Sequence, residues 1–350
     1  SGDRFFYDNP LESMGQHERQ KWFGCACCPG NVTRFIASVP GYIYATYGND
    51  IFVNLYVQSG AEIKTASQKV GVTQHTAYPW SGNIRLEISP ERKERFALKL
   101  RIPGWVENKP VPTDLYSFTQ PATQTYIVKV NGKAIDTTFD QGYATIERKW
   151  KKGDVVELDL PMEIRRVRAN DSVCDDHGKL AFQRGPIVYC LEGIDQGDGS
   201  VFDKYIPENV NVSATFIPNF LQGVVILEGN AKKVSPEGEE TVGFKAIPYC
   251  TWNNRGAGEM AVWIPERAEG ARMRPESTIA SSAVMYSEPT GPTTDVPAAT
   301  SNLQGAWGYN DQWEPKSSAD TSKPYHYWWL RFGSDENICD EFQRPETVSR

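Results

Sequence analysis

Long apolar runs are missing from this 350-residue chain. No stretch approaches the roughly 20 residues that a helix needs to cross a bilayer, so no membrane span is expected. An excess of positive charge is missing too. Lys and Arg number 37 against 44 Asp and Glu, and the formal charge of −7 gives no counter-ion logic for nucleic acid or an anionic membrane. The basic run "ERKWKK" (147–152) reads as a strand end entering a turn. Histidine is scarce: His17, His75, His177 and His326 show no paired metal-ligand spacing. Cysteine is scarce and odd in number, seven in all, which excludes complete pairing within the chain and does not identify a redox compartment. No signal peptide opens the sequence, which begins "SGDRFF" without Met. The expectation is that its start has been removed or lies outside the chain, which leaves the compartment open. There is no internal repeat.

What is present is aromatic and β-forming. Aromatics make up 12% of the chain, with ten Trp and sixteen Tyr, which suits β-sheet cores and surfaces that stack on sugar rings. The other totals (39% hydrophobic, 23% charged, mean hydropathy −0.50) are ordinary, and the length allows two or three domains with their own cores. Helical periodicity is confined to one place. Val32, Phe35, Ile36 and Val39 share a face in "NVTRFIASVPGYIYA", which predicts a helix over 31–39 with Asn31 as N-cap and Pro40-Gly41 as its stop. Thereafter alternating runs predict strands at 50–59, 83–89, 96–105, 125–133, 143–150 and 155–162. Asn131-Gly132 is suited to a type I′ hairpin turn, and "KKGD" (151–154) reads as a further hairpin turn. Two strands flank Arg184-Gly185-Pro186 within 178–195, and more are expected at 211–217, 222–229, 242–248 and 259–264. Such spacing argues for antiparallel sandwiches.

The stretch "GCACCPGN" (24–31) concentrates three of the cysteines, Cys25, Cys27 and Cys28, within four positions. A disulfide between Cys27 and Cys28 would close a strained ring across one peptide bond, and Cys25 reaches either only through a distorted loop. Burial as small residues would suit one cysteine better than three. Zinc suits thiolates, yet a structural site wants four ligands and no second pair exists, so the remaining ligands would be distant or outside the chain. A reactive thiolate is the other reading, because the helix that follows would favour an anionic sulfur at its N-terminus. Its weakness is that the local sequence supplies no base. Zinc and reactive thiol both remain open on the residues alone.

The segments "GDRFFYDNPLES", "RQKWFGCACCPGNVTRFIASVPGYIYA" and "DIFVNLYVQS" resemble glycoside hydrolase family 127, the β-L-arabinofuranosidases, and the related family 146. "LRIPGW", "VNGK", "DVVELDLPM" and "KLAFQRGPIVYCLEG" follow in the family's order, so the resemblance covers about residues 1–270. The family's usual motif is Cys-Cys-Pro-Pro-Asn; here Gly30 replaces the second proline. The resemblance implies a mainly β chain, with tandem antiparallel β-sandwiches following the last helical part of an (α/α)6 barrel. Residues 1–48 would end the barrel, 49–170 would form one sandwich, and 171–270 a second β-rich segment that returns to the first or stands apart. It further implies Cys27 as nucleophile and zinc ligand, Cys28 as a second ligand of Zn2+, Tyr7 as a sugar contact and Cys25 as structural. The general acid and the other zinc ligands, a Glu and a Cys close together, belong upstream in the family; no Glu-x-Cys occurs in this chain. The implied partner is an oligosaccharide or glycoprotein glycan, the implied location periplasmic or secreted, and the implied status that of a C-terminal portion.

Residues 271–350 carry a weaker resemblance to the opening half of a discoidin-type sugar-binding sandwich, with Trp307, Trp313 and Trp328 as stacking candidates. From a different class comes the alternative of a non-catalytic β-sandwich carbohydrate-binding protein. The two are separated by whether a thiolate site is complete.

Overall fold

Alternation of side chains builds the first two sheets. In a computed structural model that describes residues 4–24 and 27–272, strand Lys69–Thr76 buries Val70, Val72 and Gln74, and Asn83–Pro90 buries Ile84, Leu86 and Ile88. Both point one face inward, as period-2 patterning requires. They lie in a six-stranded sheet ordered Lys133–Ala134, Ile127–Val130, Asp154–Asp159, Asn83–Pro90, Lys69–Thr76, Ser59–Lys64. Opposite it lies a five-stranded sheet: Thr138–Asp140, Tyr143–Trp150, Glu94–Arg101, Asp50–Val53, Tyr44–Tyr47. A single core joins the two, with Ile51, Val53, Leu98, Leu100 and Trp150 meeting Val70, Leu86, Val156 and Leu158.

Three details differ from the sequence reading. The run 50–59 is a strand only as far as Val53; Asn54 and Leu55 then donate to the Ile43 carbonyl, and the chain crosses to the other sheet. Asp50–Val53 pairs in parallel with Glu94–Arg101, the one departure from antiparallel order among the described pairings of this sandwich. Parallel neighbours need a long connection, and here three strands of the opposite sheet supply it. "KKGD" is not a hairpin turn. Tyr143–Trp150 and Asp154–Asp159 belong to different sheets, so the turn bridges the sandwich. Trp150 and Val156 enter the same core on either side of it. The buried Asp154 carboxylate holds the corner by accepting from Lys151 N and Asn131 Nδ2. Asn131-Gly132 does form a hairpin with both residues at positive φ, 51° and 79°, and Lys133 paired to Val130.

A third, eleven-stranded sheet runs Lys204–Tyr205, Val224–Ser235, Gly238–Pro248, Ile187–Glu192, Lys179–Arg184, Ile164–Ala169, Tyr116–Phe118, with shorter strands attached. Its middle is buried on both faces. Leu180, Phe182, Tyr189 and Leu191 enter one core, while Ala181 and Cys190 between them enter another with Trp252, Met260 and Val262. Two-sided burial explains why "KLAFQRGPIVYCLEG" is almost continuously apolar where the sandwich strands alternate.

The chain is thus mainly β, with one α-helix among the described residues, Cys27–Ser38, followed by a 3-10 turn Val39–Tyr42. This helix starts four residues before the expected boundary. Asn31 is therefore not its N-cap; it sits one turn in, and its Nδ2 donates to the Cys27 carbonyl at 2.9 Å. Val32, Phe35 and Ile36 do share a side, but that side is exposed, with Phe35 against Tyr42 at 6.4 Å. Cys25 and residues 273–350, including Trp307, Trp313 and Trp328, lie outside the described residues.

Candidate active site

The earlier start of the helix moves the cysteine pair. Cys27 and Cys28 occupy its first turn, where N–H groups have no acceptor within the helix and the helix dipole is positive. Both are exposed and carry thiols rather than a disulfide, with the sulfurs 3.6 Å apart. The Tyr7 hydroxyl lies 2.9 Å from Cys27 Sγ, and its ring meets Phe23 edge-on at 5.1 Å. The three residues named from sequence, Tyr7, Cys27 and Cys28, therefore converge on one point. The hydrogen bond to Cys27, with a further one to Cys28, pushes the Tyr7 hydroxyl well above its ordinary range. A Tyr hydroxyl is protonated at neutral pH and can donate to sulfur. Cys174, single in the sequence, is disulfide-bonded.

Two thiolates bound at ~2.3 Å to one tetrahedral zinc lie about 3.8 Å apart. The Cys27–Cys28 separation is close to that edge, so the pair fits two corners of such a site. Among the described residues no group of three His, Cys, Asp or Glu side chains forms a metal site, so this pair is not completed there.

Tyr7 belongs to a segment with little structure of its own. Phe5 and Gln20 exchange backbone hydrogen bonds of 2.7 and 2.9 Å, closing residues 5–20 into a loop. The third sheet anchors that loop. Strand Glu12–Met14 pairs with Glu259–Ala261, Val262 N donates to Leu11 O, and Tyr249 Oη donates to Pro10 O. Phe6 stacks on Trp252 with centroids 4.6 Å apart and planes 11° from parallel, and the Arg19 guanidinium lies over the Phe6 ring, 4.8 Å from its centroid. Each such contact contributes about 1 kcal/mol. Arg19 also donates from Nε to Trp252 O (3.0 Å) and from a terminal nitrogen to Cys250 O (3.2 Å).

Asn253 completes the anchor. It is buried at φ 58°, a left-handed conformation that Asn tolerates better than most residues. Its Oδ1 accepts from Arg19 N and its Nδ2 donates to His17 O at 2.8 Å. Its own N–H donates to Glu192 Oε1, and Glu192 is ion-paired with Arg255. Phe6, Arg19, Trp252 and Asn253 escaped the sequence reading because nothing in their spacing links residues some 240 positions apart. A cavity of about 210 Å³ on the six-stranded sheet, lined by His75, Arg85, Lys129, Glu157 and Asp159, contains no Phe, Tyr or Trp ring for a sugar to stack on.

With this geometry in view, the comparisons with known proteins are specific. The catalytic-domain profile of the family 127 β-L-arabinofuranosidases matches residues 1–41, the middle-domain profile 50–162 and the C-terminal-domain profile 164–265. A non-reducing end β-L-arabinofuranosidase of Bifidobacterium longum subsp. longum is 30% identical over 282 residues, covering 73% of this chain and 39% of that protein. A solved family 127 β-arabinofuranosidase superposes with a TM-score of 0.75 at 42% identity, over 78% of this chain and 44% of that one. The family 127 β-L-arabinofuranosidase of Geobacillus stearothermophilus T6 superposes at 0.67 with 38% identity, over 75% and 43%. The chain thus spans 39 to 44% of the length of these relatives. It belongs to glycoside hydrolase family 127, as the middle and C-terminal domains with a short piece of the catalytic domain.

Proposed function

We propose that the whole protein carrying this chain is a retaining glycoside hydrolase that releases L-arabinofuranose from an arabinose-containing oligosaccharide or glycoprotein glycan, with Cys27 as its nucleophile. The observation that carries this reading is the Tyr7–Cys27–Cys28 cluster, which joins two adjacent sulfurs and a hydroxyl in the segment matching the catalytic domain. Cys27 Sγ attacks C1 of the furanoside, the S–C1 bond forming as the bond from C1 to the leaving oxygen breaks. That oxygen takes a proton from a carboxylic acid, supplied by catalytic-domain residues beyond the matched 1–41. Water then attacks C1, gives its proton to the same carboxylate, and the sulfur leaves as thiolate. Two displacements give net retention. Tyr7 donates to the sulfur, holds it in line and contacts the sugar. Cys27 and Cys28 would be two ligands of a zinc ion. When bound, zinc would keep both sulfurs deprotonated at neutral pH. Residues 49–170 and 171–270 are read as accessory β domains that support this site.

Hydrolysis of an aryl β-L-arabinofuranoside by the whole protein tests the reading. Cys27→Ala is expected to lower kcat by at least about a thousandfold while the fold is retained. Parental rates from a folded Cys27→Ala protein would refute it.

A further inference from the structure

Loop 5–20 has one backbone bridge of its own. Tyr7 meets Phe23, Cys27 and Cys28, all within the segment that matches the catalytic domain. A contact with the third sheet begins one residue away, at Phe6. From Phe6 it passes to Trp252, which is 2% exposed and part of the third sheet's core, and from Arg19 and His17 it passes to Asn253, Glu192 and Arg255. The C-terminal domain therefore grips the catalytic segment by its backbone and by one ring, at the residue adjoining the hydroxyl that meets the sulfur.

We infer that the Trp252–Asn253 corner of the C-terminal domain is a positioning element for the candidate active site, setting Tyr7 against Cys27 through the Phe6–Trp252 stack and the Asn253 clamp on residues 17–19. Trp252 and Asn253 contact Phe6, His17, Arg19 and Glu192, so they act through Tyr7. The C-terminal sheet is then a working part of the site rather than a passive appendage. The catalytic consequence rests on the function proposed above, whereas the mechanical coupling of Trp252 to Cys27 does not.

The test uses the whole protein with two readouts: the rate at which iodoacetamide alkylates Cys27, read by peptide mass spectrometry, and kcat with KM on an aryl arabinofuranoside. Tyr7→Phe removes the donor to sulfur and is expected to slow Cys27 alkylation about fivefold. Trp252→Ala is expected to slow it by a similar factor, Trp252→Phe to restore it to within about twofold, and Trp252→Ala to add nothing in the Tyr7→Phe background. The activity loss should fall on kcat more than on KM. Phe6→Ala, which trims the half-buried partner and leaves the buried Trp252 in place, repeats the experiment should Trp252→Ala fail to fold. The inference is overturned if folded Phe6→Ala or Trp252→Ala leaves the Cys27 rate within twofold of the parent, or if the effects of Tyr7→Phe and Trp252→Ala multiply. A parent without arabinofuranosidase activity would refute the proposed function, while the alkylation cycle would still decide the coupling.

Discussion

At the scale of single residues, the cysteine pair was legible as chemistry but not as geometry. Three thiols in four positions announced an unusual site, and the resemblance selected Cys27, Cys28 and Tyr7. Their convergence became visible only when the helix was found to begin at Cys27. Trp252 and Asn253 were not legible, because stacking on Phe6 and a left-handed φ of 58° leave no periodic trace. Asp176 is a residue whose environment yields a direct prediction. Burial raises its carboxyl to about 6, with Asp175 and Glu12 raising it further and Lys179 opposing them. A carboxyl raised in the folded state favours folding while neutral. That contribution is complete below the ordinary value of 3.8 and is lost as pH rises through about 6. Asp176→Asn should therefore raise the thermal midpoint at pH 7.5, by roughly 2–4 °C, and leave it unchanged near pH 3.5. Calorimetry at the two pH values checks the sign.

At the scale of elements, the strands were the most legible part, since Ile84, Leu86 and Ile88 all fall on the buried side that alternation assigns, although strand Lys69–Thr76 was not among those expected. What alternation cannot specify is which sheet a strand joins. "KKGD" was misread for that reason: a glycine turn between two strands looks alike whether they pair or face each other across a core. The helix boundary was missed for a related reason. Asn31 has the chemistry of an N-cap, yet Pro29, whose ring suits a first turn, extends the helix back to Cys27. Two glycines separate the kinds of constraint that such elements impose. Gly132 has open space around it and only its φ of +79° to defend, so Gly132→Ala should cost about 1 kcal/mol. At Gly82 a Cβ would lie 1.8 Å from the Leu160 carbonyl oxygen, which itself belongs to a residue bonded to Gly82 O. Gly82→Ala should cost more, about 3 kcal/mol, because two backbones must separate. Urea unfolding of both variants in parallel would check the order.

At the scale of the whole molecule, mainly β architecture and family followed from the sequence, the first from alternating runs and the second from "WFGCACCPGN" and the segments around it. The interdependence of its parts did not. A segment matching the catalytic domain is stitched into the C-terminal sheet by a strand pair, a ring stack and a buried asparagine, so the domain that carries no candidate nucleophile still holds the one that does. The central claim concerns that nucleophile. Acid-quenched turnover of an aryl β-L-arabinofuranoside by the whole protein, followed by peptide mass spectrometry, tests it most directly. The account predicts a pentosyl adduct on the peptide containing Cys27, attached through sulfur and absent from Cys27→Ala. A pentosyl adduct on a carboxylate, with Cys27 unmodified during turnover, would contradict it.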